Sequence, residues 1–157
     1  MSEHETVYQF MKGRDFVKMM GELRGVKDLD NAVDKAINLV DLSDAAYRPM
    51  GTYSRGMRQR MRLAATLVHE PDILLLDEPL GALDPLIRFD LQTELRDIFR
   101  SLGKTVIMVT HDIGEASYLG DTIILLRDGR IVQSGTINDL VDNPSEEFVE
   151  RFVQAQR

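Results

Sequence analysis

The chain has 157 residues, 43% hydrophobic and 29% charged, a globular mixture that argues against disorder and suits one ordinary domain or part of a larger one. Its net charge of −7 argues against non-specific nucleic-acid binding, which draws on clustered Lys and Arg, so no nucleic-acid partner is expected. With no cysteine there is no disulfide, thiolate zinc site or Cys nucleophile, a composition that fits a reducing cytoplasm.

The opening Met1-Ser2-Glu3-His4-Glu5 is polar and acidic and is no secretory signal. The apolar runs, such as residues 73–76 and 123–126, fall far short of the ~20 residues that span a bilayer. A soluble protein is expected, with any membrane role coming through a partner. Phe16, Met20 and Leu23, then Val33, Ile37 and Val40, recur at three and four and predict two amphipathic helices. Residues 25–28 separate them, and residues 48–52 (Arg-Pro-Met-Gly-Thr) end the pair. A third helix is predicted over about residues 55–69 with Ser54 as its N-cap.

After Pro71 short apolar runs alternate with helices. Residues 73–76 form an apolar tetrapeptide of the kind found in a strand buried on both faces. Ile87, Leu91, Leu95, Ile98 and Leu102 mark a helix, residues 105–110 a second β-branched run, and residues 112–119 a short helix. Residues 122–126 and 130–133 predict hairpin strands around Asp128-Gly129, which supplies the positive φ of a tight turn. Phe148, Val149, Phe152 and Val153 give a C-terminal helix one apolar face. The alternation predicts an α/β class, a parallel sheet with crossover helices carrying an α-helical subdomain. The boundary falls at residues 1–70 for the subdomain and 71–157 for the α/β part.

Three groups of residues can carry chemistry. Asp77 and Glu78 terminate the first apolar run, and ligands gather at the carboxyl ends of parallel strands. One carboxylate there can hold Mg²⁺ and its neighbour can polarise a water, although two acids capping a strand-to-loop turn explain the same pair. Ser54-Arg55-Gly56-Met57 opens a helix, so free backbone N–H groups and the positive dipole end suit a phosphate; an ordinary capped helix with solvated arginines is the plain alternative. His111 follows the second strand and can reach a terminal phosphate or an attacking water, or simply be structural. His4 and His69 have no such placement, and the three histidines show no metal-ligand spacing.

In that order and spacing the set resembles the ATP-binding cassette ATPases, over essentially the whole chain. Tyr53-Ser54-Arg55-Gly56-Met57, followed by Gln59-Arg60, resembles the signature motif in a variant form. Residues 74–78 resemble the Walker B motif, Gly81-Ala82-Leu83-Asp84 the D-loop, and His111 the switch histidine. The resemblance implies a P-loop NTPase (RecA-like) core that binds ATP and Mg²⁺, each ATP lying between two subunits. It implies Glu78 as general base, His111 on the γ-phosphate, and Asp77 on Mg²⁺ through water. It gives Ser54, Arg55, Gly56 and Met57 contact with the ATP held by the opposite subunit, and Asp84 signalling across the dimer. The implied partners are a membrane-spanning permease and a second nucleotide-binding subunit, which places the chain in the cytoplasm on the inner face of the cell membrane.

No Gly-x-x-x-x-Gly-Lys-[Ser/Thr] occurs in the chain, so the Walker A loop that cradles phosphates is missing from it. The expectation is the C-terminal part of a nucleotide-binding domain, begun at an internal methionine and inactive alone; a protein that lost its loop is the alternative. Glu3 or Gln9 would stand in for the family's glutamine ligand. Residues 16–60 resemble exporter ATPases, whereas residues 80–157 resemble osmoprotectant (glycine betaine-type) importers, through Leu80-Gly81-Ala82-Leu83-Asp84-Pro85, Thr110-His111-Asp112-Ile113-Gly114-Glu115-Ala116 and residues 148–157. Import is preferred on the longer match. The competing readings are an exporter ATPase subunit, a non-catalytic module lending its signature helix to a complete partner, and a soluble cassette ATPase of translation or repair.

Overall fold

The computed structural model describes residues 8–81 and 85–156. The chain divides into two compact units after Leu74. The first contains α1 (Gly13–Leu23), α2 (Leu29–Leu39) and α3 (Arg55–Leu67), with 3₁₀ turns at Ser43–Ala45 and Met50–Thr52. Each helix packs on the other two. Their apolar stripes supply the core: Phe16 and Val17, then Val33 and Ile37, then Met61 and Ala64 are buried. Fully burying a large aliphatic side chain is worth ~1.5–3 kcal/mol. Exposed ion pairs contribute far less, so the stripes hold the three helices together. Arg14 to Asp34 (3.0 Å) and Lys18 to Asp30 (3.0 Å) bridge α1 and α2 at the surface. Lys18 and Arg14 hold the Asp30 carboxyl below its usual range. The start of α1 lies close against its neighbours: a Cβ on Gly13 would come within 2.6 Å of the Met61 methyl and would collide with the Tyr53 hydroxyl. That hydroxyl is committed, donating to the Ala45 carbonyl at 2.7 Å.

The second unit takes most of β1 (Ile73–Asp77), followed by α4 (Pro85–Leu102), β2 (Thr105–Val109), α5 (Ile113–Leu119), β3 (Ile123–Arg127), β4 (Arg130–Gly135), α6 (Ile137–Asp142) and α7 (Glu147–Ala155). β1 and β2 are hydrogen-bonded neighbours. The Glu78 amide donates to the Val109 carbonyl at 2.9 Å, so the two carboxyl ends lie side by side, as in a parallel pair joined by a crossover helix. β3 and β4 form an antiparallel hairpin. Its turn residues Asp128 and Gly129 have φ of 50° and 75°, the paired positive values of a type I′ turn. Leu125 faces Gln133 and Leu126 faces Ile131, so Val132 is the extra residue of a bulge. Ile113, Ile123, Leu125, Leu140, Val149 and Val153 make a core from α5, β3, α6 and α7.

One expectation needs correction, and one helix was not expected at all. Residues 73–76 are not buried on both faces: Leu74 is 2% exposed, but Ile73 and Leu75 are 60% and 66% exposed. A parallel strand is buried twice only where elements cover both sides of its sheet, and no described residue covers this side of β1. The sequence reading also passed over α6. Its start is fixed by a capping box in which Thr136 Oγ1 accepts from the Asp139 amide and Asp139 accepts from the Thr136 amide.

Candidate functional site

The first cluster forms where β1 and β2 end. Asp77 is the last residue of β1 and is exposed. Glu78 turns out of the strand with φ of 41°, a left-handed conformation uncommon for a residue with a Cβ. Its amide still joins the sheet through Val109, so the turn acts on the side chain, and the carboxylate comes round to His111. His111 Nδ1 lies 2.9 Å from Glu78 Oε1, and against a carboxylate, which only accepts, it is the nitrogen that donates. Nε2 is then the ring nitrogen left for another partner. The following loop returns on itself through Gly81, whose amide donates to the Glu78 carbonyl at 3.2 Å. A Cβ on Gly81 would stand 3.1 Å from Glu78 Oε2, so the missing side chain leaves the carboxylate its place. Glu78 and His111, assigned separate roles from sequence, are thus in direct contact.

The second cluster, in the first unit, is the start of α3. Ser54 is the N-cap in extended conformation, and its Oγ accepts from the Met57 amide at 3.1 Å. Its hydroxyl hydrogen stays available to donate elsewhere. The amides of Arg55 and Gly56 open the helix, where no carbonyl lies a turn behind to accept them. Space above Gly56 is open: a Cβ there would meet only Ser54 Oγ, at 3.9 Å. Arg55 is exposed, while the Arg58 guanidinium is turned back onto the Tyr53 carbonyl. This start can therefore present two amides, a hydroxyl and one arginine to an anion.

Other sequence expectations lie elsewhere. Asp84 and Glu3 fall outside the described residues. Gln9 uses its backbone carbonyl to accept from the Gly51 amide at 2.8 Å. Gly103-Lys104-Thr105 repeats the last three residues of the phosphate-loop motif, but Ile98 stands where its first glycine belongs. These residues leave α4 and enter β2, the reverse of the strand–loop–helix order that aims amides at a phosphate. For Mg²⁺, no group of three or more potential metal-ligating side chains occurs among the described residues. Mg²⁺ is commonly held by one or two carboxylates together with phosphates and waters, a set that the exposed Asp77 can join. Sequence reasoning missed the surroundings of His111: the buried Glu115, Arg88 of α4, and Gln156, whose side chain accepts from the Ile113 amide at 2.8 Å. The one local signal was Asp112-x-x-Glu115, an N-cap with an acid three residues on, which marks a helix start without giving the acid a task.

In the α/β unit, then, an Asp-Glu pair ends one strand and a histidine follows its hydrogen-bonded neighbour. The ABC transporter family model matches residues 1–81, and the chain belongs to that family. It is similar to the "Glycine betaine transport ATP-binding protein OpuAA" of Bacillus subtilis, at 46% identity over 85% of this chain and 32% of that protein. It is 47% identical to the "Fe(3+) ions import ATP-binding protein FbpC" of Streptomyces coelicolor over 77% of this chain and 35% of the relative. It is 40% identical to the "Spermidine/putrescine import ATP-binding protein PotA" of Clostridium acetobutylicum, over 96% of this chain and 42% of the relative. The chain thus spans roughly a third to two fifths of the length of these relatives. A solved structure of a metal-chelate type ABC transporter in an inward-facing conformation has the same fold, with a TM-score of 0.71 over 84% of this chain and 55% of that one, at 24% identity. The iron and polyamine relatives are import proteins by name, and the exporter-like reading of residues 16–60 gains no support from them. Among the described residues no helix is long and apolar enough to cross a membrane.

Proposed function

We propose that this chain contributes the hydrolytic part of an ATP-hydrolysing import subunit, acting with a membrane-spanning permease and a second nucleotide-binding subunit at the inner face of the cell membrane. The observation that carries the reading is the contact between Glu78 and His111 at the carboxyl ends of neighbouring parallel strands. A carboxylate at that place can take the proton of an attacking water. His111 holds the carboxylate through Nδ1–H, and in the protonated ring Nε2–H can donate to the terminal phosphate. Asp77 is the residue suited to Mg²⁺, which when bound neutralises phosphate charge. The start of α3, Ser54 to Met57, donates to the γ-phosphate of an ATP bound by the opposite subunit, and Asp84 relays the state of one site to the other. For cargo, an osmoprotectant of the glycine betaine type is supported by the 46% identity to the glycine betaine protein, with the iron and polyamine relatives of similar likeness the competing cargo classes. The capped start of α3 with its open space above Gly56 supports a second reading, a non-catalytic module that lends this start to a complete subunit.

Titration calorimetry with Mg-ATP separates the two. The 157-residue chain should bind Mg-ATP very weakly, because the loop supplies most phosphate donors and Asp77 alone cannot hold the metal. The same chain joined in frame to a segment bearing Gly-x-x-x-x-Gly-Lys-[Ser/Thr] should bind at micromolar concentration. Micromolar binding by the chain alone would overturn the first expectation. A folded joined polypeptide that still fails to bind would favour the non-catalytic module.

A further inference from the structure

Glu115 is a carboxylate 3% exposed in a chain whose other carboxylates among the described residues face solvent at least in part. Burying a carboxylate is costly unless it is paired and hydrogen-bonded. Thr110 Oγ1 donates to Glu115 Oε2 at 2.7 Å, and Arg88 Nε of α4 lies 3.8 Å from Glu115 Oε1. The same threonine oxygen accepts from the Asp112 amide at 3.1 Å. Asp112 in turn caps α5, accepting from the Glu115 amide at 3.1 Å, and its other oxygen accepts from Arg88 Nη1 at 3.4 Å. Of the two residues flanking His111, Thr110 is thus tied to the buried Glu115 carboxylate and Asp112 to Arg88 and the Glu115 amide, while His111 itself is exposed and touches Glu78. A histidine on an unrestrained turn would sample several rotamers and spend little time at 2.9 Å from one carboxylate oxygen.

We propose that Glu115, Thr110 and Arg88 are positioning residues that fix the turn at His111 and so hold its ring against Glu78. The proposal rests on reading Glu78 and His111 as the hydrolytic pair, but its test needs no nucleotide. The ring nitrogens of His111 are observed in the joined polypeptide labelled with ¹⁵N-histidine, with Glu78→Ala giving the signals of a ring that has lost its acceptor. Thr110→Val keeps the shape and removes both hydroxyl bonds, so the His111 signals should move to those of Glu78→Ala. Thr110→Ser should restore the wild-type signals, and Glu115→Gln, which can still accept from Thr110 but no longer pairs with the Arg88 charge, should shift them part of the way toward those of Thr110→Val. Wild-type ring signals in both Thr110→Val and Glu115→Gln would overturn the proposal. If Glu115→Gln does not fold, the Val and Ser variants at 110 decide alone. Failure of the polypeptide to hydrolyse ATP would sink the hydrolytic reading while leaving the ring signals to judge the positioning.

Discussion

Glu78→Gln, made in the joined polypeptide, is expected to lower ATP hydrolysis by ~10²–10⁴-fold, the loss typical when a general base is removed. That corresponds to about 3–5 kcal/mol of barrier. Gln keeps the size of Glu and an oxygen that can accept from His111 Nδ1, so the 2.9 Å contact has a neutral replacement. The amide cannot take a proton from water, and the loss should fall on turnover. Binding of Mg-ATP should persist, because the phosphate-holding groups are untouched, and an ATP-bound dimer can accumulate. Phosphate release and nucleotide binding measured on one preparation check both halves. Hydrolysis at the wild-type rate removes Glu78 from its role. A parallel collapse of binding would make it a metal ligand or a structural residue instead.

The second large effect concerns the uncovered apolar faces. Ile73 and Leu75 of β1 and Ile107 and Val109 of β2 are exposed, as are Ile124, Leu126 and Ile131 of the hairpin. Flat strands with apolar exposed faces invite pairing with other chains. With net stabilities of only ~5–15 kcal/mol, these uncovered apolar strand faces leave little margin. The 157-residue chain alone is therefore expected to aggregate or to melt without cooperativity, with the three-helix unit its better-ordered part. Joined to the phosphate-loop segment, it should show one cooperative transition. Size-exclusion chromatography and calorimetric melting decide the matter: a monodisperse monomer with a single sharp melt, obtained without the added segment, would refute the expectation.

Local chemistry carried much of this fold into the sequence. Ser54 marks the start of α3 because its side chain replaces an acceptor the helix lacks, and Asp128-Gly129 marks the hairpin because few other pairs accept two positive φ values. The α2 stripe Val33, Ile37 and Val40 was legible for the same reason, since period fixes which residues share a face, but in α1 the expected Leu23 is 75% exposed and Val17 joins Phe16 in the core instead. Burial was less legible. An apolar run such as residues 73–76 says what a strand can bury, while what covers it is decided by other elements. The contact between Glu78 and His111 joins residues 33 apart, and no local pattern states which strands pair or how far a side chain turns at a φ of 41°. Glu115 escaped notice because an acid three residues after an N-cap reads as a surface cap, and only α4 packing on α5 puts it inside.

The central claim is that Asp77, Glu78 and His111 serve ATP hydrolysis once phosphates are held. Phosphate release from Mg-ATP by the joined polypeptide is the most direct measurement of it. Repeated turnover is expected, with many phosphates per chain, and it should stop when a chelator removes Mg²⁺. A folded polypeptide that binds Mg-ATP and releases no phosphate would contradict the claim.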